Sequence, residues 1–275
     1  MLHIISTDLQ RPRSFKCQDL RSENVDDIQK VDARHNGIPG YNQEILSAST
    51  ITLIGCGGIN GEIGEGLARK GPAEIHMVDH KSVDLSNLNR QRFFKCDLDQ
   101  NKAFALGKNL AKEGFMGTRL FGYPYFFQEA VEYGYKFPHD VLVCGVDNDE
   151  TRKFVAQYGL SAGIPVIFIA VSRDGNQGYV FVQRPKSACY GCAFPDAVNN
   201  EITPCPGVPA IKDILKVVAG VALYAIDTVL MGRKRNWNYR LIHLAGYMPD
   251  IFRTIEPLAD CPLNCSKYRE SNETS

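Results

Sequence analysis

The sequence carries no excess charge of either sign: lysine plus arginine and aspartate plus glutamate number 31 each. A balanced chain offers no electrostatic footprint for nucleic acid or an anionic membrane, so neither is expected as a partner. Long uninterrupted apolar runs are missing too. The longest candidate, residues 214–231, contains Lys216 and Asp227. A charge near a bilayer centre costs about 2.5–3.5 kcal/mol even on insertion scales, so this stretch reads as a helix buried in a core or at a subunit interface. The opening residues, MLHIISTDLQRPRSFK, hold no apolar segment of signal-peptide length, and a cytoplasmic location is the expectation. No internal repeat is visible.

What is present suits a globular chain. With 275 residues, 44% of them hydrophobic, it can bury a substantial core in one large or two small domains. Residues 1–33 are polar and without period, and read as an N-terminal extension. Apolar, β-branched runs at 51–55, 74–79, 140–144 and 165–171 read as strands covered on both faces. Helical patterns at 61–70, 101–113 and 150–160 alternate with them, with a weaker one at 128–135. That alternation predicts an α/β fold built on a doubly wound, Rossmann-like parallel sheet. Beyond Ser172 the pattern changes to short strands at 178–183, 240–243 and 251–255, expected as an antiparallel extension, with a Cys/Pro-rich loop at 184–209 and a helix at 211–231.

Chemistry concentrates between residues 51 and 102. Gly55, Gly57 and Gly58 follow the first strand and open a helix, so backbone N–H groups can approach a phosphate at a helix N-terminus. Asn60 stands where a third fingerprint glycine would fall and is counted among the candidate nucleotide-binding residues of the turn. Asp79 ends the next strand, where a carboxylate can accept from ribose hydroxyls. These features alone fit a nicotinamide-dependent oxidoreductase as well. The following loop does not: Asn87, Arg90 and Gln91, with Lys102 beyond, supply the cations a triphosphate demands when pyrophosphate departs.

Nine cysteines are an odd number, and without a secretory signal their close pairs point to metal rather than disulfides. Cys189/Cys192 and Cys261/Cys265 supply four thiolates, a set suited to a closed tetrahedral Zn²⁺ site that would staple the C-terminal region. A redox pair is the rival reading. Cys205, in TPCPG, stands apart from both pairs, and Cys17, Cys56, Cys96 and Cys144 occur singly.

The segments GCGG, VDLSNLNRQ and CGVDN, with Lys102 between the last two, resemble the adenylation core of the E1/ThiF/MoeB/HesA family. The resemblance spans roughly residues 34–265 and implies a single adenylation domain over 34–275. It implies ATP-dependent activation of the C-terminal carboxylate of a small ubiquitin-like or sulfur-carrier protein ending in Gly. By resemblance Asp79 binds ribose, Arg90 and Lys102 contact the triphosphate, and Asp147 helps hold Mg²⁺. The Arg90–Lys102 spacing is one residue shorter than the family's, which leaves Lys95 as the alternative lysine. Arg34 would reach the partner's site in a homodimer, and Cys205 would capture the acyl group as a thioester for transfer to an E2-like protein. A family member of the ThiF or MoeB kind would instead adenylate a sulfur carrier without forming that thioester. A noncatalytic scaffold would be expected to have lost the Arg, Lys or Asp that are retained here.

Overall fold

A computed structural model of the chain describes residues 15–17, 30–35, 37–137, 139–172, 174–199 and 210–270. The strands among them are β1 (Phe15–Cys17), β2 (Thr50–Ile54), β3 (Glu74–Val78), β4 (Arg119–Tyr123), β5 (Val141–Cys144), β6 (Val166–Val171), β7 (Gln177–Gln183), β8 (Tyr239–His243) and β9 (Ile251–Arg253). They form one sheet in the order β1-β4-β3-β2-β5-β6-β7-β8-β9. The five strands from β4 to β6 in that order are parallel. β1 joins one edge antiparallel, and β7, β8 and β9 extend the other edge antiparallel.

The expected doubly wound sheet and its antiparallel extension are thus both present. β4 departs from expectation. Its sequence, RLFGY, lies in a segment rich in Phe and Tyr that shows no clean period of two. It is a strand because β3 supplies a full parallel ladder, Glu74 opposite Arg119 through Val78 opposite Tyr123. Tertiary pairing overrides weak local preference. β1, too, falls inside the segment expected to be irregular, and pairs Phe15 with Gly122.

Helices α1 (Gln43–Ala48), α2 (Gly58–Lys70), α3 (Lys102–Leu110), α4 (Phe127–Glu132), α5 (Asp149–Ala162), α6 (Tyr190–Ala193), α7 (Pro195–Asn199), α8 (Lys212–Leu230) and α9 (Ser266–Glu270) cover both faces. α2, α3 and α8 share one hydrophobic core with the sheet, whereas α4, α5 and α6 share an aromatic-rich one on the other face. The long α8 buries Ile214, Leu215, Val218, Ala219, Ala222, Ala225 and Ile226, the spacing of one helix face. Its Asp227 pairs with Lys70 at 2.6 Å. No helix among the described residues is long and apolar enough to cross a membrane.

α2 and α8 lie close because a methyl group at Gly58 or Gly66 would overlap Leu215 or Leu223. Two glycines eight residues apart on one helix therefore receive two leucines eight residues apart on the other, one side chain per approach.

Candidate functional site

The parallel strands end in register, and their carboxyl ends build the site. Gly55 N–H donates to the Val78 carbonyl (2.8 Å) and Gly145 N–H to the Ile54 carbonyl (2.9 Å). The turns after β2, β3 and β5 therefore meet at one level, where open α/β sheets bind ligands. Gly55 has φ +84°, and a Cβ there would sit 3.1 Å from the Gly145 carbonyl oxygen. Only glycine allows the turn to leave β2 in this direction. Gly57 then caps α2 with extended backbone and Gly58 begins the helix, aiming its unpaired N–H groups at the turn.

Asn60 is buried behind the turn rather than in the cavity. Its side-chain amide donates to the carbonyls of Ile54 (3.0 Å) and Gly55 (2.7 Å). It therefore braces the turn from within. Asp79, one residue past β3, accepts from Cys56 N–H (2.7 Å) and Lys81 N–H (2.8 Å), which fixes the carboxylate beside the glycine turn. Cys56 itself is fully buried, and burial pushes its thiol well above the usual range, with the Asp79 charge adding to the rise. It is an inert core thiol.

Lys102 reaches the same place from another element. Asn101 caps α3 by accepting from Ala103 N–H (2.9 Å), and its amide donates to the Asp79 carbonyl (2.8 Å). Lys102, the first residue of α3, is 7% exposed. Burial lowers its pKa and the Asp79 charge works against that drop. The intervening loop is held by a reciprocal cap: Ser86 N–H donates to Asp84 (2.8 Å) and Asp84 N–H to the Asn87 side chain (3.1 Å). Arg90 bonds the Ser86 carbonyl at 2.6 Å and Asn89 at 3.0 Å, with no carboxylate partner among the described residues.

From the third side comes Asp147, after β5. Burial would raise its pKa, but the hydrogen bond and charge of Lys81 outweigh that and hold it below the ordinary value. Asn148 caps α5 through Thr151 N–H (2.8 Å). Arg152, one turn along, donates to the Val146 carbonyl (2.8 Å) and pairs with Asp149 at 3.1 Å.

The glycines of the turn, Asp79, Arg90, Lys102, Asp147 and Arg152 all line one cavity of about 740 Å³. Of the residues singled out in the sequence, Gly55, Gly57, Gly58, Asp79, Asn87, Arg90, Gln91, Lys102 and Asp147 line it. Asn60 and Lys95 do not. Gln91 brings a buried side-chain oxygen with no donor, an acceptor suited to a ligand. Lys81 and Arg152 also line the cavity and were not legible beforehand. Lys81 stands in a polar stretch with several equivalent side chains, and Arg152 on a helix with no motif around it. Arg34 is exposed, in a turn outside the lining. Cys205 lies outside the described residues.

The paired cysteines converge. Cys189, Cys192, Cys261 and Cys265 are buried with all four sulfurs within 4.8 Å of one another. Neighbouring sulfurs stand 3.8, 3.3 and 3.6 Å apart. A tetrahedron with Zn–S bonds of about 2.3 Å has edges of roughly 3.8 Å, so the donor set and spacing fit zinc. A two-cysteine redox centre leaves the second pair unexplained. Leu258 N–H donates to the Cys192 sulfur at 3.4 Å, an outer contact of the kind that orients metal ligands.

A doubly wound sheet with a glycine turn, an acidic residue on the neighbouring strand and a four-thiol centre defines a Rossmann-like α/β protein. Within that class the chain belongs to the ThiF family, which it matches over residues 29–265. It is 26% identical over 221 residues to "Adenylyltransferase and sulfurtransferase MOCS3" of Xenopus laevis, covering 74% of this chain and 48% of that one. It is 28% identical over 154 residues to "SUMO-activating enzyme subunit uba-2" of Caenorhabditis elegans, covering 54% of this chain and 26% of that one. The chain spans about half the length of the MOCS3 relatives it matches. Among solved structures, E. coli MccB with SeMet MccA superposes with a TM-score of 0.71 at 18% identity, over 87% of this chain and 74% of that one.

Proposed function

We propose that this protein uses ATP to adenylate the C-terminal carboxylate of a small ubiquitin-like or sulfur-carrier protein. The observation that carries the reading is that the glycine turn, Asp79, Arg90, Lys102 and Asp147 line one and the same cavity. The names of the relatives, which include an adenylyltransferase and a SUMO-activating subunit, support it. A nicotinamide oxidoreductase would leave Arg90, Lys102 and Asp147 without a task.

In this reading the N–H groups opening α2 cradle phosphate and Asp79 accepts from the ribose. A carrier carboxylate oxygen attacks the α-phosphorus, a new O–P bond forms, and the bond to the β-phosphate oxygen breaks to release pyrophosphate. Arg90 and Lys102 stabilise the charge on that leaving group, and the rest of the work is positioning. Asp147, ionised and facing the cavity, would hold Mg²⁺, which when bound neutralises phosphate charge. The four cysteines would hold a structural Zn²⁺. Cys205 would then take the acyl group as a thioester, releasing AMP; a sulfur-carrier activator would skip that step.

ATP–pyrophosphate exchange tests the proposal. Exchange should require a carrier protein with an intact terminal Gly-Gly, and Lys102→Ala should reduce it at least tenfold, the cost of about 1.4 kcal/mol of lost charge stabilisation. Absence of exchange, together with binding of NAD(H), would refute it. If a thiol-sensitive adduct with the carrier persists in Cys205→Ala, the nucleophile lies elsewhere.

A further inference from the structure

Arg90 and Lys102 share the cavity with a further lysine, Lys81. Lys81 Nζ lies 2.8 Å from Asp147 Oδ2, with both side chains about half exposed, 46% and 52%. The two residues belong to the loops after β3 and β5, the strands that flank β2 on either side. Their ion pair therefore bridges the carboxyl end of β2, from which the Gly55–Gly58 turn departs. Both partners line the cavity.

Three observations separate Lys81 from a surface lysine with a convenient acid. Its backbone is fixed on both sides: its N–H donates to Asp79 Oδ1 (2.8 Å), and its carbonyl accepts from Lys102 N–H (2.8 Å). The stem of the side chain is thereby aimed by the same contacts that place Asp79 and Lys102. Among the described residues the ammonium has one hydrogen-bonded partner, Asp147, which the proposed function gives to Mg²⁺ and not to a lysine. The other cavity guanidinium near Asp147, Arg152, is already engaged by Asp149 and the Val146 carbonyl.

We infer that Lys81 is a nucleotide-phosphate ligand, held over the phosphate turn by Asp147 and exchanged from that carboxylate to the phosphate chain when a nucleotide enters. The inference rests on the proposed use of this cavity for ATP and deepens it. A triphosphate brings more negative charge to the turn than the single carboxylate it displaces, so the ammonium moves toward the larger charge. The same move releases Asp147. An exposed ion pair contributes little to stability, which makes such a partner exchange cheap. The Lys81 side chain supplies only charge, while its backbone supplies the architecture; substituting the side chain removes one and leaves the other.

The test is calorimetric titration of the intact protein with ATP and with adenosine, in chelator-free buffer without added Mg²⁺, for the wild type, Lys81→Gln and Lys81→Arg. Lys81→Gln should weaken ATP binding about tenfold and leave adenosine binding unchanged, and Lys81→Arg should restore most of the ATP affinity. Equal ATP affinity in Lys81→Gln and wild type would overturn the inference while leaving the proposed function standing. Equal losses for ATP and adenosine would also overturn it, because they mark a structural role. Wild-type protein that binds neither ligand would instead sink the nucleotide reading itself. Unfolding curves of the three proteins, expected to coincide, keep a folding defect from passing as a binding effect.

Discussion

Asn60 shows how one side chain can replace the geometry of a glycine. Its amide satisfies the Ile54 and Gly55 carbonyls, and it packs so tightly on the next turn that a Cβ at Gly145 would stand 2.8 Å from its nitrogen. From sequence it was a candidate nucleotide contact; in the structure it faces inward and does not line the cavity. His139 carries the clearest pH signature. It is 8% exposed, bonded to Thr52 Oγ1, with its ring 4.2 Å from that of His76. Burial first, then the like charge of His76, brings its pKa from 6.5 to about 3. The unfolded chain binds that proton below pH 6.5 and the folded one only near pH 3. Stability is therefore lost as pH falls through that window, by up to about 1.4 kcal/mol per pH unit. Urea unfolding between pH 6.5 and 4 should show a steeper loss for the wild type than for His139→Gln; parallel curves would disprove the assignment. His139 has no motif around it, so nothing in the sequence separates it from a surface histidine. Lys81 was hidden for the same reason, since its role depends on a partner 66 residues away.

At the scale of elements, the strands buried on both faces were the legible part. Residues 51–54, 75–78 and 141–144 are buried without interruption, and uninterrupted apolar runs announce that environment. β4 was not legible, because partial exposure breaks its pattern. The short helices α6 and α7 were also missed, inside a stretch read as loop. α6 sits among the thiols: Cys189 is its N-cap residue, Cys192 lies within it, and Cys261 and Cys265 meet them from 72 and 73 residues further on. A zinc ion here would join the connection after β7 to the C-terminal segment, ordering both. Purified protein should contain about one zinc per chain, and stripping it with a chelator should lower Tm by ~10 °C or more, given that structural zinc contributes several kcal/mol. Cys192→Ser should reproduce the loss. Metal-free protein with an unaltered Tm would remove zinc from the account.

For the whole molecule, the position of Arg34 decides what one chain can do alone. Its neighbour His35 bonds Gln43, which in turn donates to the Lys70 carbonyl at the C-terminal end of α2. Gly40 packs on Arg233, and Asn42 N–H reaches Met231 just past the end of α8. The cavity lies at the opposite ends of these two helices, where Gly58 begins α2 and Leu215 lines the wall. Nineteen residues of α8 span about 28 Å, beyond the reach of an arginine side chain. Arg34 cannot serve the cavity of its own chain, so any catalytic part it plays belongs to a second copy. Mixing variants makes the proposal decisive. Arg34→Ala and Lys102→Ala should each be nearly inactive in pyrophosphate exchange. When the two are unfolded together and reassembled in equal amounts, half the dimers are mixed, and each mixed dimer carries one site with both defects and one with neither. Activity should return to about a quarter of the wild-type value, the statistical yield of a two-fold assembly with shared sites. If mixing restores nothing, or if Arg34→Ala is fully active by itself, the sites are not shared and each cavity works with the residues of its own chain.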